Sequence, residues 1–314
     1  MSSPEVIYAC RLLIRDTFRQ ALANGVFWVM LGACGVVIFF CLSVSVEHGE
    51  VKAPDDIEVD RASGHMSMAF GAWRLPKGSD DAKVVHALML VLGEGVFGIV
   101  GTLLALAVTA GFVPEFLHES NATVLLSKPT PRWVLLLGKY LGVLSLLAAY
   151  VGLYVVGTWV AIGLRTGFWV NNYLWGMPLL LLQVAAVYSF SAFLGVCARS
   201  GLVCVFGSVL FWLICWGINY GRHYRVAVES LDPTLPQQGP VLRFLGEAGY
   251  WLLPKPVDLG MILHSALEAR QADVHLQEVI RVGAFHPELS VLTSLAFVVG
   301  MVLLSAQQLA SKDY

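Results

Sequence analysis

Six long apolar runs constrain this chain more than any other feature. They cover roughly Val26–Val46, Ala87–Val113, Trp133–Leu164, Tyr173–Val196, Leu202–Tyr220 and Leu289–Leu309. A hydrocarbon layer of about 30 Å is crossed by about 20 helical residues. In lipid the backbone must satisfy its own hydrogen bonds, which leaves helices or closed barrels, and runs of this length specify helices. The third run is long enough to tilt or to project beyond the bilayer. The chain is 57% hydrophobic and 13% charged, against about 25% charged in an ordinary soluble domain. The expected fold is therefore an all-α integral membrane protein of six transmembrane helices, with residues 1–314 forming a single membrane domain.

Orientation follows from Lys and Arg near the ends of the spans. One side collects Arg11, Arg15, Arg19, Lys128, Arg132, Arg199 and Lys312. That side is expected to be cytoplasmic and to hold both termini of a multi-pass protein of the cell membrane. The opposite side receives the short loop Arg165–Asn172 and two long segments, 47–86 and 221–288. The first is acidic and irregular, with Val51–Val59 as a candidate strand. In the second, Pro254 and Pro256 break a half-apolar stretch into pieces too short to span. It is expected to form short helices at the outer interface, lying along it or re-entrant.

Residues 1–24 read as an amphipathic helix. Ser3-Pro4-Glu5 supplies an N-cap, a proline at the first helical position and an acid in the first turn. Arg11, Arg15 and Arg19 make one stripe, and Val6, Ile7, Cys10, Leu13, Ile14 and Phe18 fill a different arc. A helix of this kind lies in the cytoplasmic interface ahead of the first span, or packs as a soluble helix on a partner. No cleavable signal peptide is expected, because the first apolar run begins only near Gly25 and exceeds an h-region of about 7–15 residues.

The cysteines (10, 34, 41, 197, 204 and 215) fall in apolar runs or in the N-terminal helix. A disulfide framework in the long polar segments is excluded, and the thiols read as small buried apolar groups. A net charge of −2 without a basic tract gives no footing for nucleic acid.

Between the second and third spans lies "HESNATVLLSKPTPRWVLLLGK", His118 to Lys139. Pro114 and Glu115 start a fresh helix, and Pro129 and Pro131 end it. Residues 114–132 are expected to be a short cytoplasmic segment held between two spans, either an ordinary connector or a device that receives force. This stretch resembles the coupling-helix region of ABC exporter permeases of the second type. Glu119, Thr123, Leu125, Leu126, Ser127, Pro129, Arg132, Gly138 and Lys139 match that pattern, and Ala122 stands where a glycine is usual. The amphipathic helix, the six spans and the interrupted helices before the last span agree with the same family.

The resemblance implies a permease that pairs with a second permease copy, as a homo- or heterodimer, and binds separate ATP-binding cassette ATPase subunits. It implies coupling through Glu119, Thr123, Ser127, Pro129 and Arg132. The chain has no phosphate-binding G-x-x-x-x-G-K-[ST] loop: Gly138-Lys139 has neither the earlier glycine nor a following Ser or Thr. The ATPase would be another chain. This one is expected to be neither an enzyme nor a holder of a cofactor, with membrane lipids as its surroundings.

Glu94 is the acid set well inside a span, ~10–12 Å from its outer end at about 1.5 Å per residue. A carboxylate there faces protein or water, as part of a transport pathway or gate, or as a structural hydrogen-bond partner. Gly93, Gly95, Gly98 and Gly101 line the same span and would permit close helix approach, as at a dimer seam. His65, Met66 and Met68 are ligand types that suit copper, yet they set no ligand pattern, and no metal site is assigned. Two rival classes stay open: a non-transporting membrane scaffold or assembly subunit, and a membrane-embedded enzyme. The second is poorly equipped, because the spans carry a single acid where acid–base chemistry generally pairs titratable groups.

Overall fold

The computed structural model describes residues 3–23, 25–47, 65–68, 73–76, 81–117, 131–232, 239–268 and 273–311. Candidates Glu119, Thr123, Ser127 and Pro129, and the candidate strand Val51–Val59, lie outside these residues. The chain folds as an all-α membrane protein, with one small sheet added at one end of the bundle.

Helix α1 (Ser3–Ala23) leads to α2 (Gly25–Leu42). These are followed by strands β1 (Ser45–Glu47), β2 (His65–Met68) and β3 (Trp73–Pro76). The strands form an antiparallel sheet in the order β1-β2-β3, with Val46 opposite Met66 and Met66 opposite Leu75. The next span is compound: α3 (Asp81–Leu90), a π-helical segment (Val91–Gly101), α4 (Thr102–Thr109) and the short α5 (Phe112–Phe116). The 35-residue α6 (Arg132–Thr166) follows, then a 3-10 turn (Asn171–Trp175), α7 (Gly176–Ala198) and α8 (Gly201–Leu231). Three short helices precede the last span: α9 (Pro240–Leu252), α10 (Pro256–Ala266) and α11 (Val274–Arg281). The last span is α12 (Pro287–Ser311).

Among the described residues, five continuous helical stretches are long and apolar enough to cross a membrane, and α1 with α2 makes a sixth candidate bent by 74°. The crossings alternate. Arg132, Arg199 and α1 share one end of the bundle, here the basic end. The sheet, the 3-10 turn and α9 to α11 share the other, here the loop end.

The long α6 is the central element, touching α1, α2, α7 and α12. Its residues Leu146, Leu147, Val151, Val155 and Ile162 are buried. Gly167 in the left-handed conformation (φ 77°) ends it, and the Gly167 N–H closes on the Gly163 carbonyl. α8 and α12 are peripheral. Only 28% and 22% of their most apolar stretches are buried, against 61–72% for the other three long helices.

Helix α1 lies flush on α6 because α6 offers glycines there. A Cβ on Gly138 would stand 3.4 Å from the Cys10 Cα, and one on Gly142 would stand 3.3 Å from the Ile14 Cα. Leu13, Thr17 and Ala21 fill the seam, while Arg11, Arg15 and Arg19 are exposed. Ile7 and Leu12 stay exposed on the remaining surface, so α1 meets protein with one face and its surroundings with two.

Two sequence expectations are corrected by the fold. The fifth span does not stop at Tyr220: α8 continues to Leu231, because His223, Arg225 and Ala227 are buried against the short helices beyond the apolar run. The glycines of the second span do not form a free seam either. Gly93, Gly98 and Gly101 are buried within the chain, Gly93 against Leu263 and Gly101 under the Phe97 ring, and only Gly95 is exposed.

Candidate functional site

The π-helical segment is the least regular part of the spans, and three neighbouring side chains bind its carbonyls. The Tyr154 hydroxyl donates to the Leu92 carbonyl (2.8 Å), Gln183 Nε2 to the Gly98 carbonyl (2.8 Å) and Thr102 Oγ1 to the Phe97 carbonyl (3.4 Å). Non-helical backbone at membrane depth survives where protein satisfies it, and π segments recur at functional positions. Four glycines within Val91–Gly101 give the wider turn its room.

Beside this segment is a cavity of about 490 Å³, walled by the π segment, α7, α8 and α10. Leu179, Leu180, Trp212, Trp216, Leu259 and Leu263 are among its apolar lining residues. Glu94 enters it with 40% of its side-chain surface accessible. His264 Nε2 donates to Glu94 Oε2 at 2.7 Å. Gly260 makes room for the carboxylate, since a Cβ there would sit 2.5 Å from Glu94 Oε1. Of the candidate residues, Glu94 is thus placed at a cavity and given a partner 170 positions away. His264 had no signal in the sequence, because the pairing rests on α10 folding back against the second span.

The other face of α10 carries a knot. Asp258 is wholly buried. Its Oδ1 accepts from His223 Nε2 (2.5 Å) and Asn219 Nδ2 (2.8 Å). Its Oδ2 accepts from the Tyr250 hydroxyl (2.7 Å) and from Ser290. Asn219 Oδ1 in turn accepts the backbone N–H groups of Val257 (2.9 Å) and Asp258 (3.2 Å) at the start of α10. Burial works against the Asp258 anion, yet the bonds from His223, Ser290 and Asn219 and the His223 charge outweigh it and hold the carboxyl below its ordinary range. Lys255 is buried next door. Its ammonium faces the Tyr250 ring at 4.5 Å and the Trp251 ring at 4.8 Å and donates to Thr293. Burial lowers its pKa, Asp258 opposes that shift and Arg222 adds to it. The knot joins α8, α9, α10 and α12, and neither Asp258 nor His223 reaches solvent. It holds α10 in place, and so holds His264 against Glu94.

At the basic end a second set of polar contacts ties three elements. The buried Lys139 ammonium donates to Gln20 Oε1 (2.6 Å), and Gln20 Nε2 donates to Glu115 Oε2 (2.7 Å). Asp16 stands 3.9 Å from the same ammonium, and the Phe112 and Phe116 rings lie 5.6 and 5.7 Å away. Lys139, Gln20 and Glu115 therefore link α6, α1 and α5, with Glu115 and Lys139 on either side of residues 118–130 in the sequence. Arg132 Nη1 donates to the Leu309 carbonyl (3.4 Å), joining the start of α6 to the end of α12. Among the described residues, no three His, Cys, Asp or Glu side chains are grouped to hold a metal ion.

No protein-family model matches the chain, and no curated protein matches it.

Proposed function

We propose that this chain is the membrane-spanning permease subunit of an ATP-driven exporter, working with ATP-binding cassette subunits on separate chains and with a second permease copy. The observation that carries this reading is the tie of Lys139, Gln20 and Glu115. It joins the amphipathic α1, the end of the second span and the start of the third around residues 118–130, where the exporter-like motif lies. A push on that segment reaches α1 and α6 directly, and α6 packs along most of the bundle. The basic end then faces the cytoplasm of the cell membrane with both termini, in keeping with Arg11, Arg15, Arg19, Arg132 and Arg199. Glu119, Thr123, Ser127, Pro129 and Arg132 act at the ATPase contact, and Glu94 acts in the pathway. The sparsely buried faces of α8 and α12 are the surfaces left for lipid and for the second copy.

The test is a mild-detergent pull-down of the chain from its native membrane. A stoichiometric ATP-binding subunit is expected, and Glu119→Lys is expected to release it while the permease still inserts. A clean preparation without an ATPase, under conditions that preserve such complexes, would return the chain to the scaffold class.

A further inference from the structure

We infer that the cavity around Glu94 binds an amphiphile with a cationic amine head group, taken in sideways from the bilayer. The inference deepens the permease reading and rests on it for its transport meaning. The site itself rests on geometry. Its volume of about 490 Å³ lies within the range of about 300–1,000 Å³ usual for small-ligand sites. Its rim includes Val91, Ile99 and Trp216, all exposed residues of membrane-spanning helices, so the opening faces the hydrocarbon. An apolar body is matched by the leucines and tryptophans of the wall.

The head group follows from charge. No Lys or Arg among the described residues lines the cavity. The Gln183 amide is turned away to Gly98 and Thr102. Glu94 Oε2 is hydrogen-bonded to His264 Nε2, and Oε1 accepts no hydrogen bond among the described residues. The carboxylate thus keeps one oxygen open to an apolar cavity at membrane depth, where an acidic group faces protein, water or a ligand that pairs with it. An ammonium at Oε1 supplies that pairing and a charge-assisted hydrogen bond. The faces of Trp212 and Trp216 favour the same charge. The Asp258 knot, six residues from His264, offers no such site because its carboxylate is saturated and sealed.

The experiment uses the purified full chain in phosphatidylcholine nanodiscs and bromine-labelled twelve-carbon amine, alcohol and carboxylate probes, read by quenching of tryptophan fluorescence. Saturable quenching by the amine is expected, well above what the other two give at equal lipid partitioning. Glu94→Gln is expected to weaken the amine about ten-fold or more and to leave the alcohol unchanged. Gly260→Ala keeps the charge but displaces the carboxylate, and is expected to act in the same direction. Ile99→Trp narrows the opening and is expected to reduce all three. Equal saturation by the three probes, or amine binding untouched by both Glu94→Gln and Gly260→Ala, overturns the inference. No ATPase enters the measurement. Selective amine binding in a chain that recruits no ATPase would sink the permease reading alone, and an ATPase complex without amine selectivity would sink this inference alone.

Discussion

Helix α10 holds two carboxylate–imidazole pairs on two faces, and they are built oppositely. Asp258 with His223 is sealed from solvent, and four side chains donate to the carboxylate. Glu94 with His264 borders a cavity, and one donor serves one oxygen. The difference separates structure from function. A buried ion with every lone pair satisfied holds helices together, and removing one partner exposes the cost of the rest. A half-satisfied, accessible carboxylate contributes little to stability and remains available to a ligand.

The sharpest way to break this contrast is Asp258→Ala. A loss of about 3–5 kcal/mol in unfolding free energy is expected, measured by denaturant titration in a mild detergent, with α10 released from α8. If Glu94→Gln costs as much, the two pairs are alike and the contrast fails.

Gly142→Leu comes next in size. Its side chain meets the Thr17 side chain and the Ile14 backbone of α1. About 1–3 kcal/mol should be lost to overpacking, and Cys10, now half-buried, should react faster with a maleimide as α1 lifts.

Glu94→Gln is expected to change the unfolding free energy by less than about 1 kcal/mol, as for a partly exposed carboxylate–imidazole pair. A larger loss in the same titration would make Glu94 a structural residue and weaken its assignment to the cavity.

The smallest effect is at Glu278 on α11. Hydrogen bonds from Arg281 and Ser230 pull its carboxyl down to about 2. A carboxylate lowered in the folded state lends stability above its unfolded pKa, near 4.5, and that stability fades as the pH falls toward 2. Glu278→Gln should flatten the acid limb of α11 hydrogen exchange in that window. An unchanged acid limb would show that the pair with Arg281 adds nothing there.

Much of the bundle was legible in the sequence. The apolar runs marked the spans, the arginine stripe marked the exposed face of α1, and Pro254 and Pro256 marked the break before α10. Glu94 was singled out because a lone acid in a greasy run is conspicuous. Its role was not legible, since His264, Gly260 and Trp216 come from elements far along the chain. The knot was missed for the same reason. Asp258 sits in a segment that reads as short helices at the outer interface, and His223 lies just past the apparent end of a span. The extension of α8 to Leu231 was hidden because its polar residues are buried by α9 to α11, and hydropathy counts them as loop. The π-helical turn left only a weak trace, four glycines that read more simply as a packing seam.

By itself the sequence determined where the chain crosses the bilayer. A backbone in hydrocarbon has no partner but itself, so a run of about 20 apolar residues becomes a helix whatever its neighbours do. Only the tertiary structure decided which charged groups are sealed and which are open. Asp258 finds Asn219 at 39 positions' distance and Glu94 finds His264 at 170. The protonation and reactivity of a carboxylate depend on the few ångströms around it, and those are set by packing between segments that hydropathy treats one at a time.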